Sequence, residues 1–349
     1  MNGYRPTARS IALALVFLLA GAAAATAQPA AEFYKGKTVT IVIGSDVGGG
    51  YDAYGRLVAR HLGAHIPGNP SVVPNNMAGA AQTKAANYVY SLAAKDGTYI
   101  AALSPGALLT AVLGGPPIQY DPNKFQYVGS ANSDVYVCIA RPDAPAKKFA
   151  DIFDHEMIVG VSSGSSTLMM PLLLKNLLGA KFKIVRGYPG TRQMQLAIER
   201  NEIQGICGLG YASLRVEHED WLTQGTVTVL AQESSRGTPE LDKMGVPLAT
   251  AFAKTDEQRA VMDLVYSQEI FGRPFVMAPE VPKERVAVIR DAFLAALRDP
   301  ALLEEAAKSK LDVEALSGAE VQQLVAKVYA TPPAIVKRTH EVLEIAGQN

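Results

Sequence analysis

Two short segments of the sequence combine glycine with polar residues in a pattern that is typical of anion binding. The first runs from residue 44 to 52 and places Gly48-Gly49-Gly50 shortly after an apolar, β-branched run. A glycine loop between a strand and a helix lets the backbone approach a ligand, and the helix N-terminus attracts negative charge. The ligand contacts expected from this loop are Ser45, Gly48, Gly49, Gly50, Tyr51 and Asp52.

The second segment repeats the arrangement in the middle of the chain. Five hydroxyl residues surround one glycine, between an apolar run that ends at Val161 and a helical pattern that begins at Thr167. Hydroxyl and amide groups at a helix N-terminus suit an anion better than they suit one activated nucleophile. The contacts expected here are Ser162, Ser163, Gly164, Ser165, Ser166 and Thr167. Loops after other predicted strands add Gly79, Ser104, Tyr188 and Gly190.

The second segment also supports a different chemistry. Residues 160–164 match G-x-S-x-G, the nucleophile elbow of α/β-hydrolases, with Ser162 as the nucleophile. Such an enzyme needs a later acid and a histidine, for which Asp220 or Glu269 with His340 are the candidates. Because His340 lies in a charged terminal helix, a binding loop is the preferred interpretation and a secreted serine esterase is the alternative.

Nucleotide and metal sites are not indicated. Gly48-x-Gly50-x-x-Ala53 fits the loose dinucleotide fingerprint, but the acidic residue expected about 20 residues later is absent. Cys138 and Cys207 are far apart and have no neighbouring histidine, so they form either one disulfide or two separate thiols. We therefore expect no cofactor, no metal and no catalytic residue.

The elements that must position these loops alternate between strand and helix in two blocks. In the first block, strands at 39–43, 71–73 and 99–103 flank helices at 54–66 and 80–92. The second block covers 157–230, two apolar strands at 125–129 and 135–139 separate the blocks, and four helical patterns follow. This order predicts an α/β protein with two lobes, each a mainly parallel sheet flanked by helices, as in type II periplasmic binding proteins. The late helices are expected to cover the first lobe.

The predicted domains follow from that order. Residues 28–130 plus 233–349 form a discontinuous first domain, residues 131–232 form a continuous second domain, and the crossings near 129–131 and 230–232 act as a hinge. Residues 1–27 have the positive charge, the short apolar run and the Ala25-Thr26-Ala27 site of a cleavable signal peptide, which predicts export to the periplasm.

The charge balance excludes several classes of partner. Lys and Arg number 33, Asp and Glu also number 33, and no basic run is present. A nucleic-acid binder would show a basic stripe, so this chain is not expected to bind nucleic acid. We expect a soluble monomer.

Several ordered motifs resemble the substrate-binding proteins of tripartite tricarboxylate transporters, the Bug proteins. These motifs are Phe33-Tyr34-Lys35-Gly36-Lys37, the strand and glycine loop that follow with Arg56 and Leu57, Asn75-Asn76-Met77-Ala78-Gly79-Ala80, Ala94-Lys95-Asp96-Gly97-Thr98, the 162–167 loop and Gly187-Tyr188-Pro189-Gly190. The resemblance spans nearly the whole chain after the signal peptide. The departures are Ser45-Asp46-Val47 in place of prolines, Ala78 in place of glycine, Pro189 in place of lysine and Gly208 in place of an acidic residue.

This resemblance implies an exported receptor whose two domains close on a small organic acid. It also implies that backbone amides and water hold a ligand carboxylate, and that the receptor delivers the ligand to inner-membrane permease subunits. The departures lie in the expected pocket walls, so the ligand can be an aliphatic acid, an aromatic acid or an uncharged amide.

Overall fold

The computed structural model describes residues 30–114, 117–162 and 165–344. The predicted signal peptide therefore lies outside the described residues. Within these ranges, no helix has the length and apolar character needed to cross a membrane.

The described residues form eleven strands and fifteen α-helices. The strands are β1 (Thr38–Ile43), β2 (Ser71–Asn76), β3 (Tyr99–Ala102), β4 (Gln126–Ser130), β5 (Tyr136–Ala140), β6 (Met157–Gly160), β7 (Phe182–Val185), β8 (Gly205–Gly210), β9 (Thr228–Glu233), β10 (Pro274–Met277) and β11 (Leu316–Ser317). The helices are α1 (Ala30–Tyr34), α2 (Gly50–His65), α3 (Thr83–Asn87), α4 (Pro105–Leu108), α5 (Thr110–Leu113), α6 (Ser166–Leu173), α7 (Thr191–Glu199), α8 (Tyr211–Glu217), α9 (Glu219–Thr223), α10 (Pro239–Lys243), α11 (Asp256–Tyr266), α12 (Lys283–Ala296), α13 (Pro300–Lys308), α14 (Gly318–Tyr329) and α15 (Pro333–Val342).

The strands form two sheets, and each sheet is the centre of one lobe. The first has the order β11-β4-β10-β3-β1-β2, and the second has the order β7-β6-β8-β5-β9. The pairings make β1 to β4 run in one direction with β10 and β11 reversed, and make β6 to β9 run in one direction with β5 reversed. Two α/β lobes flanked by helices are thus confirmed. Both sheets are mixed, because each admits reversed strands among the parallel ones.

Reversal of one strand has the same consequence in both lobes. The first residues of β10 pair with the last residues of β3 and β4, and Tyr136 at the start of β5 pairs with Gly210 at the end of β8. A residue just before a reversed strand therefore lies at the edge where the parallel strands end. Ligands of α/β proteins bind at that edge.

The prediction of one continuous helix at 80–92 is wrong. Gly79 has a φ of 134°, and Ala80, Ala81 and Gln82 all adopt left-handed backbone angles. The side-chain Oε1 of Gln82 accepts a hydrogen bond of 2.7 Å from the backbone N–H of Ser104. The loop after β2 is therefore tied to the loop after β3, and regular helix begins only at α3.

The late helices contact more than the first lobe. Helices α12 and α14 pack on the first sheet, as expected. Helix α11 also reaches the second lobe, because Gln258 Nε2 donates to the Leu177 carbonyl at 2.9 Å. At the end of α15, the Val342 carbonyl accepts from Asn176 Nδ2 at 2.7 Å. One apolar core accordingly includes residues of both lobes, such as Leu173 and Val265.

The two cysteines form a disulfide, which resolves an alternative that the sequence left open. Cys138 on β5 is bonded to Cys207 on β8, and both residues are buried. The Glu233 carboxylate lies within 4.8 Å of both sulfurs. Because a metal needs thiolate ligands and these sulfurs are bonded to each other, the group is not arranged as a metal site.

Candidate functional site

A cleft of about 880 Å³ opens between the lobes. The first lobe contributes the glycine loop, and the second lobe contributes the ends of β8 and the beginnings of its helices. The lining residues that the structure describes are Asp46, Val47, Gly48, Gly49, Gly50, Tyr51, Asp134, Tyr136, Ser166, Gly190, Thr191, Arg192, Gln193, Gln195, Gly208, Leu209, Gly210, Ser213, His218 and Arg273.

The glycine loop is held in shape by one buried carboxylate. Asp52 Oδ2 accepts from the backbone N–H of Gly48 at 2.9 Å, and Oδ1 accepts from Asn76 Nδ2 at 2.8 Å. Arg56 Nε donates to the same carboxylate at 2.9 Å. Burial opposes ionisation of Asp52, but the donors Arg56, Gly48 and Asn76 outweigh it and lower its pKa. Asp52 thus fixes the loop instead of lining the cleft.

The glycines of this loop differ in what they require. Gly48 has a φ of 91°, a conformation that favours glycine, whereas Gly49 is extended with a φ of −88°. A Cβ at either position would contact nothing within 4 Å. A side chain at Gly49 would therefore project into open space without straining the backbone. The backbone therefore requires glycine at position 48 but not at position 49.

The opposite wall is built around Gly208. Its N–H donates to the buried carboxylate of Glu233, and its carbonyl accepts from Ser166 Oγ at 2.7 Å. Burial raises the pKa of Glu233 to about 8, although the Gly208 N–H acts in the opposite direction. The end of β8 is therefore joined to the start of α6 and to β9.

Three helices longer than two turns begin at this cleft. Gly50 and Tyr51 open α2, Ser166 opens α6, and Thr191 opens α7. The first backbone N–H groups of a helix have no intrahelical acceptor, and the helix dipole places partial positive charge there. The cleft is therefore suited to an anion from both sides.

The structure brings six of the predicted ligand residues to the cleft lining and leaves eight elsewhere. Those at the cleft are Gly48, Gly49, Gly50, Tyr51, Ser166 and Gly190. Those outside its lining are Ser45, Asp52, Gly79, Ser104, Ser162, Ser165, Thr167 and Tyr188. Ser163 and Gly164 lie outside the described residues. Ligand contact by any of these residues stays a prediction.

The hydroxyl groups of Ser165 and Thr167 bond within the second segment. Ser165 Oγ donates to the Ser162 carbonyl at 2.8 Å and lies 2.7 Å from Thr167 Oγ1. Thr167 Oγ1 also accepts from the backbone N–H of Ser162 at 3.1 Å. Ser104 similarly caps α4 by accepting from the Ala107 N–H. These groups stabilise the loops that carry the cleft.

The proposed hydrolase triad is not assembled. Ser162 Oγ donates to the Pro189 carbonyl at 3.3 Å, and no histidine contacts it in the part of the chain that the structure describes. His340 Nε2 bonds instead to the Val112 carbonyl at 2.7 Å. Without a base within reach, Ser162 has no group to activate it. The esterase alternative is not supported.

Sequence reasoning missed the most deeply buried charges of the cleft. Arg273 precedes β10 and Asp134 precedes β5, and both of these strands are reversed. The guanidinium of Arg273 lies over the rings of Tyr51 and Tyr54, 4.6 and 5.1 Å from their centroids. Burial raises the pKa of Asp134, against the opposing effect of the Arg273 charge. The sequence signal nearest to Arg273 is the short apolar run 274–277 directly after it.

Two exposed arginines of the second lobe, Arg186 and Arg192, differ in their position relative to the cleft. Arg192 lines the cleft at the first turn of α7. Arg186 is half-exposed and pairs with Glu344 at 3.3 Å. Of these two, only Arg192 faces the cleft.

No protein-family model and no curated protein sequence matches the chain. Among solved structures, a TctC solute-binding protein from Polaromonas without ligand is 18% identical with a TM-score of 0.65, over 87% of this chain and 99% of that one. MatC from Rhodopseudomonas palustris with bound malate is 22% identical with a TM-score of 0.63, over 88% and 99%. Rpa4515 from R. palustris with adipate is 20% identical with a TM-score of 0.65, over 89% and 98%. The likeness establishes the fold, that of a two-lobed periplasmic binding protein.

Proposed function

We propose that the chain is a periplasmic solute-binding protein of the tripartite tricarboxylate transporter type, a Bug protein, which captures a small organic acid between its lobes. The observation that carries this proposal is the convergence of three helix N-termini and the buried Arg273 on one cleft. Both features favour a negatively charged ligand group. The similar structures that contain malate and adipate support the same class of ligand.

The remaining parts of the proposal follow from a receptor role. The predicted signal peptide exports the chain, the domains 28–130 plus 233–349 and 131–232 close on the ligand, and the loaded monomer delivers it to inner-membrane permease subunits. Binding of this kind needs no cofactor and no catalytic residue. Such a closure must accommodate the hydrogen bonds that join α11 and α15 to the second lobe.

The first test is a thermal-shift panel of small carboxylic acids on the purified chain. A ligand at about 100 times its dissociation constant is expected to stabilise the folded protein by roughly 2.7 kcal/mol. The panel also compares succinate with succinamide, and other acids with their amides. The difference in thermal shift within each pair separates recognition of charge from recognition of shape. Stabilisation by amides but not by acids would contradict the proposal, as would conversion of a bound compound during incubation.

A second test concerns the backbone of the glycine loop. Gly49→Val should weaken binding of any acid found in the panel by at least tenfold, because its side chain enters the cleft, and Gly49→Ala should have a smaller effect. Since Gly49 is extended and spatially open, the unfolding temperature without ligand should change little. Calorimetry measures the affinity. Undiminished binding by Gly49→Val would show that the ligand does not approach this loop.

A further inference from the structure

A buried ion pair lies at the cleft, with one partner from each lobe. Arg273 Nη2 is 3.4 Å from Asp134 Oδ2, and the two side chains are only 8% and 4% exposed. Both residues nevertheless line the cleft. The pair is therefore the most deeply buried charge that a ligand would meet there.

Both partners keep capacity for further hydrogen bonds. Of the five N–H donors of Arg273, Nη1 donates to the Gly272 carbonyl at 2.9 Å and Nη2 makes the long contact to Asp134. Its Nε contacts no acceptor among the described residues but is itself buried, so the donors left for a ligand are those of Nη1 and Nη2. Asp134 Oδ1 accepts from the N–H groups of Val135 and Ala212, whereas Oδ2 contacts only Arg273 among the described residues. A donor and an acceptor side by side thus remain for a ligand.

Two glycines keep the pair accessible. A Cβ at Gly50 would lie 3.4 Å from Arg273 Nη2, and a Cβ at Gly210 would lie 2.8 Å from Asp134 Oδ2. Gly50 comes from the glycine loop of the first lobe and Gly210 from the end of β8. Any larger residue at these positions would cover the charge that it contacts.

The charge count at the pair discriminates among acids. Arg273 and Asp134 neutralise each other, so a ligand carboxylate on Arg273 adds a negative charge beside Asp134 that only the partial positive charges of the helix N-termini offset. Buried charge without a partner is costly, and two carboxylates sharing one cation repel each other. A ligand that brings its own positive charge removes this excess. Asp46 and Arg192, the other charges of the lining, are exposed and screened by water.

We infer that the ligand is an amino acid, whose carboxylate binds the Arg273 guanidinium while its ammonium group binds Asp134. The ligand then replaces one long internal ion pair by two contacts between opposite charges. This inference rests on the proposed function and narrows its ligand class from organic acids in general to zwitterions.

The experiment compares each amino acid with the same acid lacking the amine. A thermal-shift screen of the twenty common amino acids and of their des-amino analogues selects the pair with the largest shift. Calorimetry on the wild type is then expected to give at least tenfold tighter binding for the amino acid. Equal or tighter binding of the des-amino analogue overturns the inference, and this result needs no variant.

Asp134→Asn identifies the group that recognises the amine. It keeps an oxygen for the Val135 and Ala212 N–H groups but removes the charge. We expect the affinity for the amino acid to fall at least thirtyfold while the des-amino analogue binds as well as before or better. Asp154→Asn, which removes an exposed charge outside the cleft lining, should leave the preference for the amino acid intact. Equal losses for both ligands in Asp134→Asn would contradict the inference and assign Asp134 a structural role.

Failure of this inference can be distinguished from failure of the proposed function. If only acids without an amine bind, the receptor role stands and the zwitterion is excluded. If no carboxylate of either kind binds, the proposed function fails and the inference fails with it.

Discussion

Gly208→Ala is expected to lower the free energy of unfolding by about 3–5 kcal/mol, through left-handed strain and overpacking together. Gly208 has a φ of 76°, and a Cβ there would lie 2.3 Å from the carbonyl oxygen of Ser166 and 2.9 Å from the Cα of Thr167. These neighbours are backbone atoms at the start of α6, so they cannot rotate away. Relief would require β8 to separate from α6, which also breaks the bond from Ser166 Oγ to the Gly208 carbonyl.

Gly225→Ala is the matched control. Gly225 has a similar φ of 68°, but a Cβ there would meet nothing within 4 Å. Its substitution should cost only the left-handed penalty of about 1–2 kcal/mol. Urea unfolding followed by the fluorescence of Trp221, the single tryptophan, measures both variants. Equal losses in the two variants would mean that the contact with α6 yields to the added methyl group.

The first lobe was largely predictable because its strands are covered on both faces. Such strands appear in the sequence as continuous apolar runs, and 39–43 identified β1 to within one residue. Helix α2 was equally clear, since Tyr54, Leu57, Val58 and Leu62 form its buried face. The glycine loop between them followed from these two elements.

The charges of the cleft could not be found in the same way. Arg273 precedes a strand of four residues, β10, and a run that short does not separate from a loop by periodicity. Its position depends on β10 inserting in reverse between β3 and β4, a contact between segments far apart in sequence. Asp134 depends on the reversal of β5 in the same manner. Pairings of this kind are not encoded locally.

The prediction of a continuous helix at 80–92 failed for a related reason. Its composition favours helix, but Gln82 hydrogen-bonds to the backbone of Ser104 and the preceding residues turn left-handed to allow it. A tertiary contact therefore overrides local propensity. Similarly, five hydroxyl residues around residue 164 indicated a binding loop, yet the hydroxyl groups of Ser165 and Thr167 bond within the segment.

Stability is expected to fall as the pH rises from about 4.5 to 8, with a large part of the change due to Glu233. Burial raises the pKa of Glu233 from 4.5 to about 8 in the folded protein. Within this window the folded state holds a proton that the unfolded state has lost, so raising the pH favours unfolding. The contribution is fully present below the unfolded pKa and is lost as the pH passes the folded pKa. Glu233→Gln, which stays neutral, should gain about 3–5 kcal/mol relative to the wild type between pH 5 and pH 8.5.

The contribution of the Glu233 carboxyl is separated from that of other titrating groups by comparing the free energy of unfolding of several variants across pH. Glu269→Gln should shift in the same direction, because burial also raises the pKa of Glu269 and the Glu233 charge adds to the effect. Glu156→Gln, at an exposed position, should follow the wild type at every pH. Because the Gly208 N–H donates to Glu233, loss of the proton above pH 8 also changes a contact beneath the cleft wall. A Glu233→Gln curve parallel to the wild type from pH 5 to pH 8.5 would mean that this carboxyl is already ionised at low pH and that water reaches it.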